Sequence, residues 1–202
     1  MRITEIIQPA EFPELSIENV KKFLIDNCSE ILQIYNNTKY FNRLYRSTSY
    51  NHEIFVAKPW KQRIPLSTPI EIQNKIDDIL KECGFSALRS NSIFCSGNRE
   101  AAAYGGYLYI IYPFDGFTYT YAEGIADLTV KYKLFKGEII GDPFNMRRKF
   151  IDDLNNLAPN QFVNKYKFKD YDLEHELGTN DEIYINGKYV AVKEEINKEL
   201  FK

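Results

Sequence analysis

Residues 107–121 read YLYIIYPFDGFTYTY and carry a strong strand signal. The first part, Tyr107 to Tyr112, is a continuous apolar and aromatic run, which is typical of a strand buried on both faces. Phe117 to Tyr121 alternates with a period of two, and so does Leu128 to Leu134 further along the chain. This stretch therefore predicts a strand-rich central part of the chain.

Helical patterns lie on both sides of these strands. Apolar residues at helical spacing predict a first helix over 16–35, which Ser16 can cap. A brief helix is expected over 98–104. A third helix is expected to open at Asp142-Pro143 and to be stopped by Pro159.

A further helix is predicted over 68–84 from its end signals. Thr68 and Glu71 fit a capping box, and Pro69 occupies the first helical position, which favours proline. Gly84 then ends the helix.

The last strands are predicted near the C-terminus. Residues 182–185 and 188–192 flank Asn186-Gly187, the pair that a type I′ turn requires, so they are expected to form a β-hairpin. Helices thus precede and interrupt the strands without regular alternation. That order favours an α+β fold over a parallel βαβ sheet.

Composition excludes several classes of protein. With 44% hydrophobic and 15% aromatic residues the chain is not globally disordered, and 26 Lys and Arg against 28 Asp and Glu leave a net charge of −2. No net cationic field therefore attracts nucleic acid or an anionic membrane. The longest apolar run is too short to span a bilayer, and no signal peptide is expected, so we expect a cytoplasmic protein.

Common catalytic and metal-binding motifs are absent from the sequence. It has no dinucleotide-binding or P-loop glycine motif, no zinc-protease helix motif, no C-x-x-C pair and no nucleophile elbow. Three unpaired cysteines and two histidines make a zinc site improbable, and we expect no metal. The cysteines are expected to be small core residues of a reducing compartment.

Three polar positions at the edges of expected strands remain as candidates. Arg46 ends the apolar piece 44–46, and an arginine there offers a planar donor fork for phosphate or ribose. The segment 89–97, RSNSIFCSG, is a strand flanked by hydroxyl groups, and Glu182 opens the penultimate strand. Each has an ordinary structural alternative: a surface arginine, a solvent-facing strand and a charged strand entry.

The order of these segments resembles the Arg–Ser–Glu arrangement of the NAD-using ADP-ribosyltransferases. The segments stand here as Leu44-Tyr45-Arg46, as Phe94-Cys95-Ser96-Gly97-Asn98 followed by Ala101 and Tyr104, and as residues 182–185, EIYI. The central block RSNSIFCSGNREAAAYG is also similar to a group of uncharacterised phage proteins. The resemblance covers roughly residues 41–192 and implies a split β-sandwich with a helical N-terminal portion.

The resemblance implies a role for each matching residue. Arg46 would contact the ribose and phosphate of NAD, and Glu182 would bind the ribose 2′-hydroxyl and stabilise positive charge on the sugar. The family serine would be Ser96, or else Ser90 or Ser92. Tyr104, or another aromatic residue near it, would stack on the nicotinamide ring, and Arg63 would give a second phosphate contact.

Two departures from the family pattern affect these expectations. Ser-Gly-Asn stands at 96–98 where the pattern prefers Ser-Thr-Ser, and Asn180 stands where members that modify arginine or asparagine carry a second Glu or a Gln. The first weakens the serine assignment, and the second weakens arginine as the acceptor. The acidic loop over 170–176 favours a basic protein acceptor over nucleic acid.

We therefore expect a single domain over 1–202, with a helical portion at 1–40, an ADP-ribosyltransferase-like core at 41–192 and a C-terminal tail at 193–202. The expected function is phage-type, NAD-dependent mono-ADP-ribosyl transfer, a glycosyltransferase reaction, in a host cytoplasm or with a virion. The alternative is a non-catalytic phage accessory or binding protein on the same scaffold. A glycosidase-like or nuclease-like acid pair, Asp152-Asp153 or Asp181-Glu182, is disfavoured because adjacent side chains point in different directions.

Overall fold

The computed structural model describes residues 17–39, 42–61, 63, 68–103, 105–125 and 143–201. Its helices are α1 (Ile17–Asn27), α2 (Ser29–Asn37), α3 (Ile70–Glu82), α4 (Arg99–Ala102), α5 (Pro143–Asn156), α6 (Pro159–Lys165), α7 (Leu173–Glu176) and α8 (Glu194–Leu200). Its strands are β1 (Tyr45–Thr48), β2 (Ile54–Ala57), β3 (Ile93–Ser96), β4 (Tyr107–Pro113), β5 (Thr118–Ala122), β6 (Phe168–Lys169), β7 (Glu182–Asn186) and β8 (Tyr189–Lys193). The α+β prediction is confirmed.

The described strands form one antiparallel sheet in the order β2-β8-β4-β1-β3-β7-β5-β6. Tyr45 with Ser96 is the one residue pair in register between β1 and β3. By contrast, β1 pairs with β4 over four residues, and β3 pairs with β7 over four. The sheet therefore consists of two four-stranded halves that meet at a narrow junction between β1 and β3.

The predicted C-terminal hairpin is wrong. Strand β7 lies between β3 and β5, whereas β8 lies between β2 and β4, so the two strands belong to different halves of the sheet. Both edges of each strand are already occupied by these partners. Asn186 lacks the positive φ that a type I′ turn requires at its first central residue, although Gly187 has a φ of +142°. The Asn-Gly pair thus carries the chain from one half-sheet to the other.

The first predicted helix is two helices, α1 and α2, separated at Cys28. Asp115, in the turn between β4 and β5, explains the break. Its carboxylate accepts hydrogen bonds from the Ser29 hydroxyl (2.8 Å) and the Glu30 backbone N–H (2.9 Å). This cap comes from 85 residues away, so local sequence could not reveal it. The predicted cap Ser16 lies outside the described residues.

Helix α3 begins without the predicted capping box. Pro69 is its N-cap, and no side chain bonds to the first turn. The helix therefore starts one residue later than expected, at Ile70. At the other end the prediction was close, because α3 ends at Glu82 and Gly84 follows with a φ of +89°.

The later helices differ from expectation in two places. Pro159 follows the end of α5, as expected, but it also opens α6 at the position that favours proline. Residues 194–200, expected as part of a tail, form α8. The predicted strand 128–134 and the opening residue Asp142 lie outside the described residues.

Two apolar clusters hold the sheet between helices. The larger packs α1, α2 and α8 on the sheet, with Leu24, Ile31 and Leu200 buried against residues such as Ile111 and Val192. The second packs α3, α5 and α6 on the β3-β7-β5-β6 half, and its buried members include Ile76, Leu80, Phe150, Phe162, Phe168 and Tyr184. Burying each such side chain contributes about 1.5–3 kcal/mol. Across the described ranges, every helix is too short or too polar to cross a bilayer.

Candidate functional site

Arg46, Ser96 and Glu182 come together where the two half-sheets meet. They lie on the adjacent strands β1, β3 and β7. Ser96 is the direct cross-strand partner of Glu182 and, through the single pair between β1 and β3, of Tyr45, which Arg46 follows on β1. Directly opposed side chains of paired strands, such as those of Ser96 and Glu182, stand about 4.5–5.5 Å apart at Cβ.

Glu182 is held by a buried arginine that sequence reasoning did not select. Nη1 of Arg89 lies 2.9 Å from Oε2 of Glu182, and the two side chains are 2% and 12% exposed. The same Nη1 donates to the Tyr184 hydroxyl oxygen at 2.6 Å. Burial alone would lower the pKa of Arg89, but Tyr184 and Glu182 outweigh it and raise the pKa. The carboxylate therefore has a fixed cationic partner.

Three arginines surround the aromatic ring of Phe94 or its backbone. The Arg63 guanidinium lies 3.7 Å from the ring centroid, and that of Arg89 lies 4.6 Å from it. Arg46 donates from Nη1 to the Phe94 carbonyl oxygen at 2.8 Å. Glu182 pairs with Arg89, and three guanidinium groups thus gather where β1 meets β3. Such a group suits a phosphate-bearing ligand.

The turn before β3 is built on helix α3. Asp77, which is buried, accepts the backbone N–H groups of Arg89 (2.9 Å) and Ser90 (3.0 Å) through its two carboxylate oxygens. Burial raises the pKa of Asp77, and these hydrogen bonds oppose the rise. Ser92 is buried and donates to the Asn91 side chain at 3.0 Å. Ser90 and Ser92 therefore belong to the turn, and Ser96 is the serine opposite Glu182.

Gly97 has a steric reason to differ from the family pattern. A Cβ atom added there would lie 2.5 Å from the backbone oxygen of Leu177 and 2.6 Å from its Cα. No side chain fits, so threonine is excluded at this position. The segment after α7 thus passes directly over the end of β3, and Ser96 is 7% exposed beneath it. Its hydroxyl oxygen accepts the Asn98 backbone N–H at 3.2 Å.

The loop before Glu182 contains two buried acids. Glu176 is fully buried and Asp181 is 3% exposed. The Thr179 hydroxyl donates to Oε1 of Glu176 at 2.7 Å, and the Gly124 backbone N–H donates to Asp181. Burial, and then the neighbouring Asp181 carboxylate, raise the pKa of Glu176 to about 8. Glu176 is therefore a structural acid rather than part of an acidic contact surface, which corrects the expectation for this residue.

The other acids of this segment lie at the surface. Asp170, Asp172 and Glu174 are exposed, and Tyr171 between them is 61% exposed. The side chains of Asp181 and Glu182 have different partners, the Gly124 backbone N–H and Arg89, so they do not act as a pair. The predicted stacking residue Tyr104 lies outside the described residues.

Sequence reasoning missed Arg89, Phe94 and Tyr184 as members of the site. Phe94 and Tyr184 are apolar-looking strand residues, and their direct pairing across β3 and β7 depends on the sheet order. One signal for Arg89 was available: Asp77 and Gln73 are buried polar residues on the apolar stripe of α3. A buried acid on such a stripe demands a donor partner.

No protein-family model, curated protein or solved structure is significantly similar to this chain. Among the residues described, no three His, Cys, Asp or Glu side chains are grouped so that they could hold a metal ion.

Proposed function

We propose that this chain is an NAD-dependent mono-ADP-ribosyltransferase that modifies a protein acceptor. One observation carries the proposal: the three segments of the Arg–Ser–Glu resemblance, about 50 and 90 residues apart in sequence, meet on adjacent strands β1, β3 and β7. Short motifs that matched by chance would have no reason to lie on adjacent strands. The two half-sheets joined at Tyr45 and Ser96 also suit a split β-sandwich of that family.

The residues present fit NAD as the substrate. Arg46 and Arg63 bring two guanidinium groups to Phe94, where they would bind the pyrophosphate and the adjoining ribose. Glu182, oriented by Arg89, would hydrogen-bond the ribose 2′-hydroxyl. Ser96 would support the strand that holds the nicotinamide.

The reaction needs a fixed carboxylate more than a base. The bond between ribose C1′ and the nicotinamide nitrogen breaks, and the nitrogen keeps the electron pair, so the cationic ring leaves neutral. Positive charge then develops on the ribose, where Glu182 stabilises it. A nucleophile of the acceptor bonds to C1′ and releases its proton to solvent water. The exposed acids Asp170, Asp172 and Glu174 would attract a basic protein surface.

Binding of NAD tests the cofactor assignment. We expect Arg46→Gln to raise the Kd for NAD at least tenfold, because the variant loses a charged donor fork in the phosphate site. Isothermal titration calorimetry measures this directly. Arg148→Gln removes an exposed arginine on α5 and serves as the matched control. An unchanged Kd in Arg46→Gln would contradict the assignment, and absence of NAD binding by the wild type would favour the non-catalytic alternative.

A further inference from the structure

A pocket of about 440 Å³ lies between α2, α8 and the strands β1 and β4. Tyr45, the partner of Ser96 across the strands, lines it, but Arg46, Arg63, Arg89, Ser96 and Glu182 do not. The walls are apolar and aromatic, with Tyr35, Tyr45 and Tyr112 buried beneath it and Phe201 38% exposed at its side. Its volume lies within the range of small-molecule sites, about 300–1,000 Å³.

The charged groups of this pocket are mostly cationic. The lining contains Arg43, Arg99 and Lys198 and one carboxylate, that of Glu194. The pocket therefore carries a local charge of about +2 at neutral pH, in a chain whose net charge is −2. Arg43 is held in place, because its guanidinium lies 4.7 Å from the Tyr35 ring centroid and donates to the Asn42 carbonyl oxygen at 2.8 Å.

Several hydrogen-bond donors of this pocket can face a ligand. The Tyr112 hydroxyl donates to Oδ1 of Asn197, which is 8% exposed, so Asn197 has its amide NH₂ left to offer. Oε1 of Glu194 already accepts from Nε of Arg99 at 2.7 Å and lies 3.8 Å from Nζ of Lys198. Arg99 and Lys198 are more than half exposed, so a ligand anion can compete for them at little energetic cost.

We propose that this pocket binds a small organic anion, with a flat apolar body against the aromatic wall and a carboxylate or phosphate group facing Arg99 and Lys198. The apolar body fits the wall formed by Leu32, Ile110 and Phe201. The anionic group fits a pocket in which three cationic side chains stand against one carboxylate. This site is independent of the proposed transferase activity.

Calorimetric titration with two anions and their neutral counterparts tests the proposal. The probes are 1-naphthoate against 1-naphthalenemethanol, and adenosine monophosphate against adenosine. We expect saturable binding of at least one anion, and at least tenfold weaker binding of its neutral counterpart. Naphthoate binding would identify a carboxylate site, and adenosine monophosphate binding would identify a phosphate site.

The double variant Arg99→Gln/Lys198→Gln locates the binding. It should raise the Kd at least tenfold, whereas Lys22→Gln, an exposed lysine of α1 outside the pocket, should leave it within twofold. Amide shifts in ¹⁵N-labelled protein should centre on Asn36, Asn197 and Phe201. Three results would overturn the proposal: no saturable binding of either anion, equal binding in the double variant, or shifts centred on Ser96 and Glu182.

Discussion

Arg89 and Glu182 form a buried ion pair, so a substitution of Glu182 changes the stability of the protein as well as its site. It is 1% exposed, and its guanidinium contacts the carboxylate of Glu182, the hydroxyl of Tyr184 and the ring of Phe94. A buried arginine that loses its carboxylate partner is left with an uncompensated charge. Glu182 therefore has a structural duty in addition to the catalytic one proposed for it.

We expect Glu182→Ala to lower the free energy of unfolding by about 3–5 kcal/mol, since it leaves Arg89 buried without its anion. Glu182→Gln keeps an oxygen acceptor for Nη1 of Arg89 and should cost less. Urea unfolding followed by circular dichroism measures both. Glu174→Ala, at an exposed acid of the same loop, should stay within about 0.5 kcal/mol of the wild type. Equal stability of Glu182→Ala and the wild type would show that the ion pair contributes nothing.

Among the structural elements, the end of β3 and the segment after α7 depend on each other. The backbone of Leu177 lies so close to Gly97 that an added Cβ would meet it at 2.5–2.7 Å. Backbone atoms cannot move aside as a flexible side chain does. The strand end that carries Ser96 is thereby fixed under the loop that leads to Glu182.

Gly97→Ala should therefore destabilise the protein by about 1–3 kcal/mol, the usual cost of overpacking. A thermal melt compares it with Glu100→Ala, at an exposed position of the neighbouring helix α4. A melting temperature of Gly97→Ala equal to that of Glu100→Ala would mean that the segment after α7 does not lie against β3.

The buried acids Glu176 and Asp181 give the stability of the protein a specific dependence on pH. Glu176 has an ordinary pKa of 4.5 and a folded pKa of about 8, so between these values the folded state holds a proton that the unfolded state has lost. The contribution of Glu176 to the free energy of unfolding is therefore fully present below about pH 4.5. It is lost as pH rises toward 8, by at most about 1.4 kcal/mol per pH unit.

Glu176→Gln replaces the protonated acid with a neutral amide of the same shape. We expect it to unfold at a higher urea concentration than the wild type at pH 9, and at a similar concentration at pH 5. Glu174→Gln, at an exposed acid two residues away, is the control and should follow the wild type at both values. Parallel stability profiles of Glu176→Gln and the wild type from pH 5 to pH 9 would show that Glu176 does not carry the proton.

At the scale of the whole molecule, local patterns predicted most strands but not their neighbours. The strands β3, β4, β5, β7 and β8 lie close to where their apolar patterns place them. Their order depends on contacts between residues far apart in sequence, so the Asn186-Gly187 pair indicated a hairpin where the chain crosses between half-sheets. The break at Cys28 likewise depends on the distant Asp115.

The candidate site, too, could be predicted from the sequence only in part. Arg46, Ser96 and Glu182 were predicted because their segments resemble a known order, and the structure places them on neighbouring strands. Arg89 could not be predicted as their partner, because its position depends on Asp77 of α3 and on the pairing of Phe94 with Tyr184. An acid on the apolar stripe of α3 indicates that a donor is needed but not which residue supplies it, and the pairing of the two strands leaves no local pattern.

Release of nicotinamide from NAD by the purified protein tests the central claim most directly. We expect the wild type to release nicotinamide, Glu182→Gln to lose at least 100-fold of that rate with its fold intact, and Glu174→Gln to retain it. A fixed carboxylate at the developing charge justifies this magnitude, since removal of one electrostatic stabiliser costs about 10²–10³ in rate. Equal release by Glu182→Gln and the wild type would contradict the account. So would no release by the wild type together with no thermal stabilisation by millimolar NAD.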